Sequence, residues 1–291
     1  MRMGRNAIIL VDKGEGITSF DCLGRIKRTV NRKTGHCGTL DKFAHGLMIV
    51  LCGSYTHLVP AFMGLDKTYE AVIEFGKMTD TLDPEGEVVE TSPVPSEEVV
   101  MSALRRLEGV QYQVPPVYSA IHVDGKRSYL MARSGASDID LKPRLINIRS
   151  VEMLAWEPPL LTVRLDVSKG TYVRAFARDL GHMCRSSAYV KSLYRTKIGP
   201  FDVRDAVRHD DQTALENLDE GRRFLEMLPG CMDVEIDEAE AFKASNGYVK
   251  NSVRERIPSG CSLAVLIHDG KPVCIYSLKE GRIICQVRHD T

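Results

Sequence analysis

The stretch Gly35-His36-Cys37-Gly38-Thr39-Leu40-Asp41-Lys42-Phe43-Ala44-His45-Gly46-Leu47-Met48-Ile49-Val50-Leu51-Cys52 joins a glycine-punctuated loop to an apolar run. Gly46–Cys52 has the length and composition of a buried strand, so the loop before it is held against a rigid element. A single carboxylate, Asp41, stands in that loop among glycines, two histidines and a thiol. Aspartate in such a place usually makes turn hydrogen bonds, and the alternative is a catalytic acid.

Upstream, the apolar run Asn6–Asp12 reads as a strand, Gly14-Glu15-Gly16 as a turn, and Phe20, Leu23, Ile26 and Val30 recur at helical spacing. Gly14-x-Gly16-x-x-Ser19 lacks the third glycine of a dinucleotide fingerprint. Downstream, Tyr69, Ala71, Ile73 and Phe75 alternate with Glu70, Val72 and Glu74, the pattern of a strand. In Thr79–Gly86, placing Gly86 at the sixth position of a calcium loop puts Ser92, not glutamate, at the twelfth. An Asp-, Pro- and Gly-rich turn is the better reading. Ser96 caps a helix that turns Val100, Leu104 and Leu107 inward. Pro115–Lys126 enters a strand and an Asp-Gly turn, and residues 124–150, polar, basic and glycine-punctuated, have the character of an exposed insertion.

Leu161, Val163, Leu165 and Val167 form the inner face of another strand, which runs through Lys169-Gly170-Thr171-Tyr172-Val173-Arg174 into a helix over Ala175–Met183. After Leu228-Pro229-Gly230 the pattern changes to short β segments at Leu263–His268, Val273–Ser277 and Ile283–Arg288, so a small β domain is expected from about residue 230.

The 291 residues, 43% of them hydrophobic, suffice for a full core and a second, smaller domain. No apolar run approaches the ~20 residues that cross a bilayer, and Met1–Arg5 lacks a signal-peptide h-region. The expectation is a soluble, cytoplasmic protein. Eight scattered cysteines, none in a Cys-x-x-Cys pair, signal neither a zinc knuckle nor a disulfide scaffold. His36, Cys37 and His45 have no further ligand pair to complete a metal set. The 39 basic and 39 acidic residues cancel, but unevenly along the chain. Residues 1–40 hold 8 Lys/Arg against 3 Asp/Glu, residues 164–204 hold 9 against 3, and residues 66–108 hold 4 against 11. Two basic segments brought together would attract phosphate; solvated faces that never meet are the alternative.

Lys13 with Gly16-x-Thr18-Ser19, Gly35-His36-x-Gly38-Thr39-Leu40-Asp41, and Asp66-Lys67-x-Tyr69 with Gly76-x-x-Thr79-Asp80-Thr81-x-Asp83-x-x-Gly86 stand in order along the chain. Pro116-x-Tyr118-Ser119-Ala120 with Gly125-Lys126, Ser168–Arg174 and Leu193-x-Arg195 follow. Together these segments resemble the TruB family of tRNA pseudouridine synthases over nearly the whole chain. The resemblance implies an α+β fold: a catalytic domain (1–229) around a bent, mostly antiparallel mixed sheet, with 124–150 as an RNA-binding insertion, and a β-rich PUA-like RNA-binding domain (230–291). It implies conversion of one T-loop uridine of tRNA, position 55, to pseudouridine, without cofactor or metal. The partner implied is the T-arm stem-loop of tRNA, with no membrane and no obligate protein partner, and the protein is expected to be a monomer.

By the same resemblance Asp41 is the nucleophile or electrostatic partner at the sugar, Arg174 holds it with a fork-shaped donor pair, and Tyr69 stacks on the uracil. Tyr172 and Leu193 wall the pocket, and His36 helps fill the space that the flipped base vacates. The chemistry agrees, because detaching uracil leaves the anomeric carbon electron-deficient, where a carboxylate can act. Gly14, Lys42 and His45 depart from the family's usual proline, proline and small hydroxylated residue. Two other readings are a non-catalytic tRNA-folding chaperone, against which the retention of Asp41, Tyr69 and Arg174 argues, and a synthase acting on ribosomal RNA. Relatives of the latter kind generally carry terminal extensions, whereas this sequence begins a few residues before its first strand.

Overall fold

The computed structural model describes residues 4–119, 122–123, 126–127, 141–216 and 221–287. In chain order the strands are β1 (Ala7–Lys13), β2 (Thr34–His36), β3 (His45–Cys52), β4 (Lys67–Phe75), β5 (Lys77–Thr79), β6 (Val88–Thr91), β7 (Gly109–Gln113), β8 (His122–Val123) and β9 (Lys126–Arg127). They continue as β10 (Arg144–Glu157), β11 (Leu160–Val167), β12 (Ala188–Ile198), β13 (Phe201–Asp202), β14 (Val207–Arg208), β15 (Cys231–Glu235), β16 (Leu263–His268), β17 (Lys271–Ser277) and β18 (Arg282–Gln286). The longer helices are α1 (Ser19–Thr29), α2 (Glu97–Leu107), α3 (Val173–Met183) and α4 (Glu238–Ser245). Among the described residues no helix is long and apolar enough to cross a membrane. The chain divides into two compact units: residues 1–40, 47–64 and 200–291, and residues 41–46 and 65–199.

The second unit is built on the strand order β12-β4-β11-β10-β7, with every neighbouring pair antiparallel. The first two residues of β3 add to it in parallel, His45 opposite Tyr194 and Gly46 opposite Arg195. Alternation sets its buried face: Tyr69, Ala71, Ile73 and Phe75 of β4 are buried, as are Leu161, Val163, Leu165 and Val167 of β11. Glu74, on the outward set of β4, is also buried because Lys191 and Lys77 pair with it and the Tyr189 hydroxyl donates to it. Helix α3 packs on β12 and β4, and α2 packs on α3 and β10. Residues 124–150 read as one insertion, yet the sheet resumes at Arg144, whose strand pairs with β7 from Arg144↔Gln113 to Ile148↔Gly109. The remainder of that stretch, apart from β9 and residues 141–143, lies outside the described residues.

In the first unit β1 lies between β14, which it pairs in parallel, and β3, whose other partner β2 is antiparallel. Helix α1 buries Ser19, Cys22, Leu23 and Ile26, whereas Phe20, which shares the helical spacing of Leu23 and Ile26, is 68% exposed with the Lys27 ammonium 4.3 Å from its ring centre. The apolar stripe of the helix starts at Ser19 rather than Phe20, because Ser19 is tied to the loop ahead of Asp41: its hydroxyl donates to Leu40 O and accepts from Leu40 N. Beyond residue 230, where a small β domain was expected, residues 231–286 hold a separate sheet of their own, β15-β16-β17-β18. Its core includes Val234, Ala244, Val253, Leu266, Cys274 and Tyr276. It is parallel at β15/β16 and antiparallel beyond.

Candidate active site

Asp41 begins a tight turn in which Ala44 N donates to Asp41 O at 3.2 Å. Gly38, three residues earlier, has φ +105°, a conformation that a side chain would strain. The carboxylate, 38% exposed, receives Arg174 Nε at 2.9 Å on Oδ2.

Arg174 is the second residue of α3, a position where the helix dipole disfavours a cation. Acceptors surround it instead. Nη1 donates to Asp83 Oδ2 and to Thr81 O, both at 3.0 Å, and Nη2 donates to Tyr118 O at 2.9 Å. The arginine and Asp83 side chains are 7% and 6% exposed, so this ion pair is buried while Asp41 is half open to solvent. A fork gripping one carboxylate was expected from the sequence; the guanidinium instead bridges two.

Asp83 reaches the arginine because the Thr79–Gly86 turn is braced from within. Thr79 Oγ1 donates to Asp83 O, while Thr81 Oγ1 and Glu85 N donate to Asp83 Oδ1, leaving Oδ2 for Arg174. Asp80 Oδ1 accepts from Glu87 N across the same turn. The carboxylates that suggested calcium therefore serve the turn and the arginine. Among the described residues no group of three or more His, Cys, Asp or Glu side chains gathers as a metal cluster.

Tyr69 lies near the start of β4 on its buried face, opposite Arg195 of β12 and Leu165 of β11. Leu193 is buried two residues from Arg195 on β12. Tyr172 caps the start of α3, and its backbone is held on both sides by Gln113, whose Oε1 accepts from Tyr172 N and whose Nε2 donates to Tyr172 O. Burial pushes the Tyr172 phenol above its ordinary range, against the pull of Arg144, a hydrogen bond with Ser119, and Arg174. Asp41, Tyr69, Tyr172, Arg174 and Leu193 thus belong to one unit, whereas His36 belongs to the other. It ends β2 opposite Val50, half-buried.

Sequence reasoning missed Asp83, Gln113 and the Tyr118 carbonyl as supports. Asp83 and Tyr118 stand in segments that carry the family resemblance, but an Asp in an Asp-Pro-x-Gly turn carries no mark of burial beside an arginine. Lys13 is another scaffold residue: fully buried, its ammonium donates to Gly14 O and Ile17 O and holds the turn before α1.

A sequence model described as TruB family pseudouridylate synthase (N terminal domain) matches residues 27–173. The tRNA pseudouridine synthase B of Borreliella burgdorferi (strain ZS7) is 39% identical over 247 residues, covering 83% of this chain and 85% of its own length. The protein of the same name from Opitutus terrae is 43% identical over 213 residues, covering 72% and 88%. Among solved structures, a chain of the crystal structure of a Cbf5-Nop10-Gar1 complex aligns with TM-score 0.66 at 21% identity, over 98% of this chain and 84% of that one. The last likeness speaks to the fold alone. A family match across half the chain and relatives near 40% identity establish that the chain belongs to the TruB family of pseudouridylate synthases.

Proposed function

We propose that the protein isomerises the T-loop uridine at position 55 of tRNA to pseudouridine, with Asp41 as the reacting carboxylate. The observation that carries this reading is the Asp41–Arg174 contact at 2.9 Å in a chain 39% identical to a tRNA pseudouridine synthase B. Breaking the N1–C1′ bond, turning the uracil and rejoining it through C5 requires the detached base to be held while the sugar is electron-deficient. An ionised carboxylate at the sugar stabilises that deficiency or bonds to it. Arg174 pairs with Asp41 and aims it, and Asp83, Thr81 O and Tyr118 O keep Arg174 itself from rotating. The target base leaves the T-loop stack to reach this site. Tyr69 stacks on it, and Leu193 and Tyr172 wall it.

The partner is the T-arm stem-loop, and no second protein chain is needed, since the acid, its arginine and the tyrosines all come from one chain. Residues 230–291 serve as the RNA-binding domain. Supporting this, Phe242 and Tyr248 are exposed there beside Lys243 and Lys250 in sequence, aromatic faces and cations of the kind that hold RNA. Pseudouridine-specific chemical sequencing of tRNA and ribosomal RNA, with and without the gene, tests the proposal. Loss of the modification at tRNA position 55 alone is expected. Loss confined to ribosomal RNA, or no loss at all, contradicts the proposal in favour of a different target or a non-catalytic chaperone.

A further inference from the structure

The end of the Asp41 loop is fastened in a way the reaction chemistry does not use. His45, the first residue of β3, stacks its ring on Tyr194 of β12, with centroids 4.6 Å apart and planes 17° from parallel. Its neighbour Gly46 has φ +106°, and a Cβ there would lie 2.4 Å from Arg195 O and 2.8 Å from Tyr194 Cδ2. Tyr194 therefore covers the bare Cα of Gly46 and the face of His45 together. The imidazole contributes its face rather than a hydrogen bond, for His45 Nδ1 is buried without a hydrogen-bond partner among the described residues.

Strand alternation places this stack on the sheet face away from the pocket walls. Leu193 and Arg195 are buried on one side of β12 and Tyr194, half-buried, points to the other. Cross-strand pairing continues that outer row: Tyr194 opposite Glu70, Glu70 opposite Arg164, Arg164 opposite Glu152. Arg164 donates to both glutamates. The inner row, Gly46 opposite Arg195 opposite Tyr69, holds the loop exit in line with the tyrosine of the site.

We propose that the His45–Tyr194 stack is a positioning device for Asp41. Arg174 fixes the carboxylate end of the residue, and the stack fixes the backbone end by pinning the exit of its turn to β12. Both rings act through Asp41 and do not touch substrate. The inference rests on Asp41 being the reacting carboxylate.

The test uses the full-length chain with His45→Ala, His45→Thr, Tyr194→Ala, the double variant His45→Ala/Tyr194→Ala, and His45→Phe. His45→Thr removes the ring while keeping a residue suited to a strand, should the alanine variant fold poorly. Amide hydrogen exchange over residues 42–46 is expected to rise about tenfold in the variants lacking either ring and to stay near the wild-type rate in His45→Phe. Single-turnover pseudouridine formation on a T-arm stem-loop is expected to fall about five- to tenfold in the same variants, with stem-loop Kd within about twofold. The double variant should be little worse than either single.

Unchanged exchange and rate without the rings overturn the proposal. So does an equal loss in His45→Phe, which would assign the effect to the imidazole nitrogens, or a loss of affinity in place of rate, which would place the rings against RNA. If the wild-type protein forms no pseudouridine on this substrate, the functional reading fails, while hydrogen exchange still decides whether the stack holds the loop.

Discussion

Arg174 Nη1 lies 3.0 Å from Asp83 Oδ2, and both side chains are buried. A buried guanidinium shared between two carboxylates is fixed at both ends, and removing Asp83 leaves Asp41, which is 38% exposed, to hold it at Nε without its buried partner. Asp83→Asn keeps the shape and loses the charge, so Arg174 is expected to lose its aim at Asp41. Single-turnover pseudouridine formation should fall about 10²-fold, the cost of a small misplacement at a reacting group, while stem-loop affinity holds. Asp83→Ala, which strips the turn of its acceptor for Thr81 Oγ1 and Glu85 N as well, should cost about 1–3 kcal/mol in urea unfolding. A normal rate from Asp83→Asn would mean that Thr81 O and Tyr118 O suffice to orient the arginine.

Arg174→Lys keeps a positive charge but cannot serve Asp41, Asp83 and the Tyr118 carbonyl from one ammonium. Its single-turnover rate should fall about 10²–10³-fold. Added to Asp41→Asn it should lower the rate little further, since residues acting as one unit are non-additive. Additive losses would show that the arginine works apart from the acid.

The strands were legible because burial on one face imposes alternation, which β11 follows residue by residue and β4 follows from Tyr69 to Ile73. Asp41, Tyr69 and Arg174 stood out through the motifs around them. What could not be read was which polar groups would be taken inside. Asp83 looked like turn chemistry and is that as well, since its two oxygens serve the turn and the arginine separately. Phe20 fitted a helical stripe that Ser19 in fact begins, because a hydroxyl bound to Leu40 fixes the rotation of α1 and no hydrophobicity pattern encodes that bond. Lys13, Arg174 and Arg195 add to the charge of the two basic segments, yet all three are buried.

Those buried cations cannot exchange counterions, so the salt response of RNA binding must come from exposed ones. Affinity for the T-arm stem-loop should fall linearly on a log–log plot against salt. Lys243→Ala, at an exposed cation beside Phe242, should reduce the slope by about one while lowering affinity uniformly across stem sequences. A slope unchanged by this substitution would separate the C-terminal residues from the RNA.

Burial raises the thiols of Cys22, Cys184 and Cys285 from 9.0 to about 11, and those of Cys52, Cys231 and Cys274 to about 12. In the unfolded chain they ionise near 9.0. The stability they contribute is full below that pH and is lost as pH rises from there toward the folded values. Urea midpoints should therefore decline above about pH 9, and a thiol reagent at neutral pH should label these cysteines at the rate of unfolding. Rapid labelling of native protein would contradict their burial.

The central claim is that Asp41 performs the chemistry and does not merely shape an RNA-binding turn. The most direct measurement is single-turnover pseudouridine formation by Asp41→Asn on a T-arm stem-loop, with Kd measured alongside. A rate lower by several orders of magnitude is expected, as for loss of an essential nucleophile, with affinity nearly intact. A near-normal rate from Asp41→Asn would contradict the claim and move the chemistry to another residue.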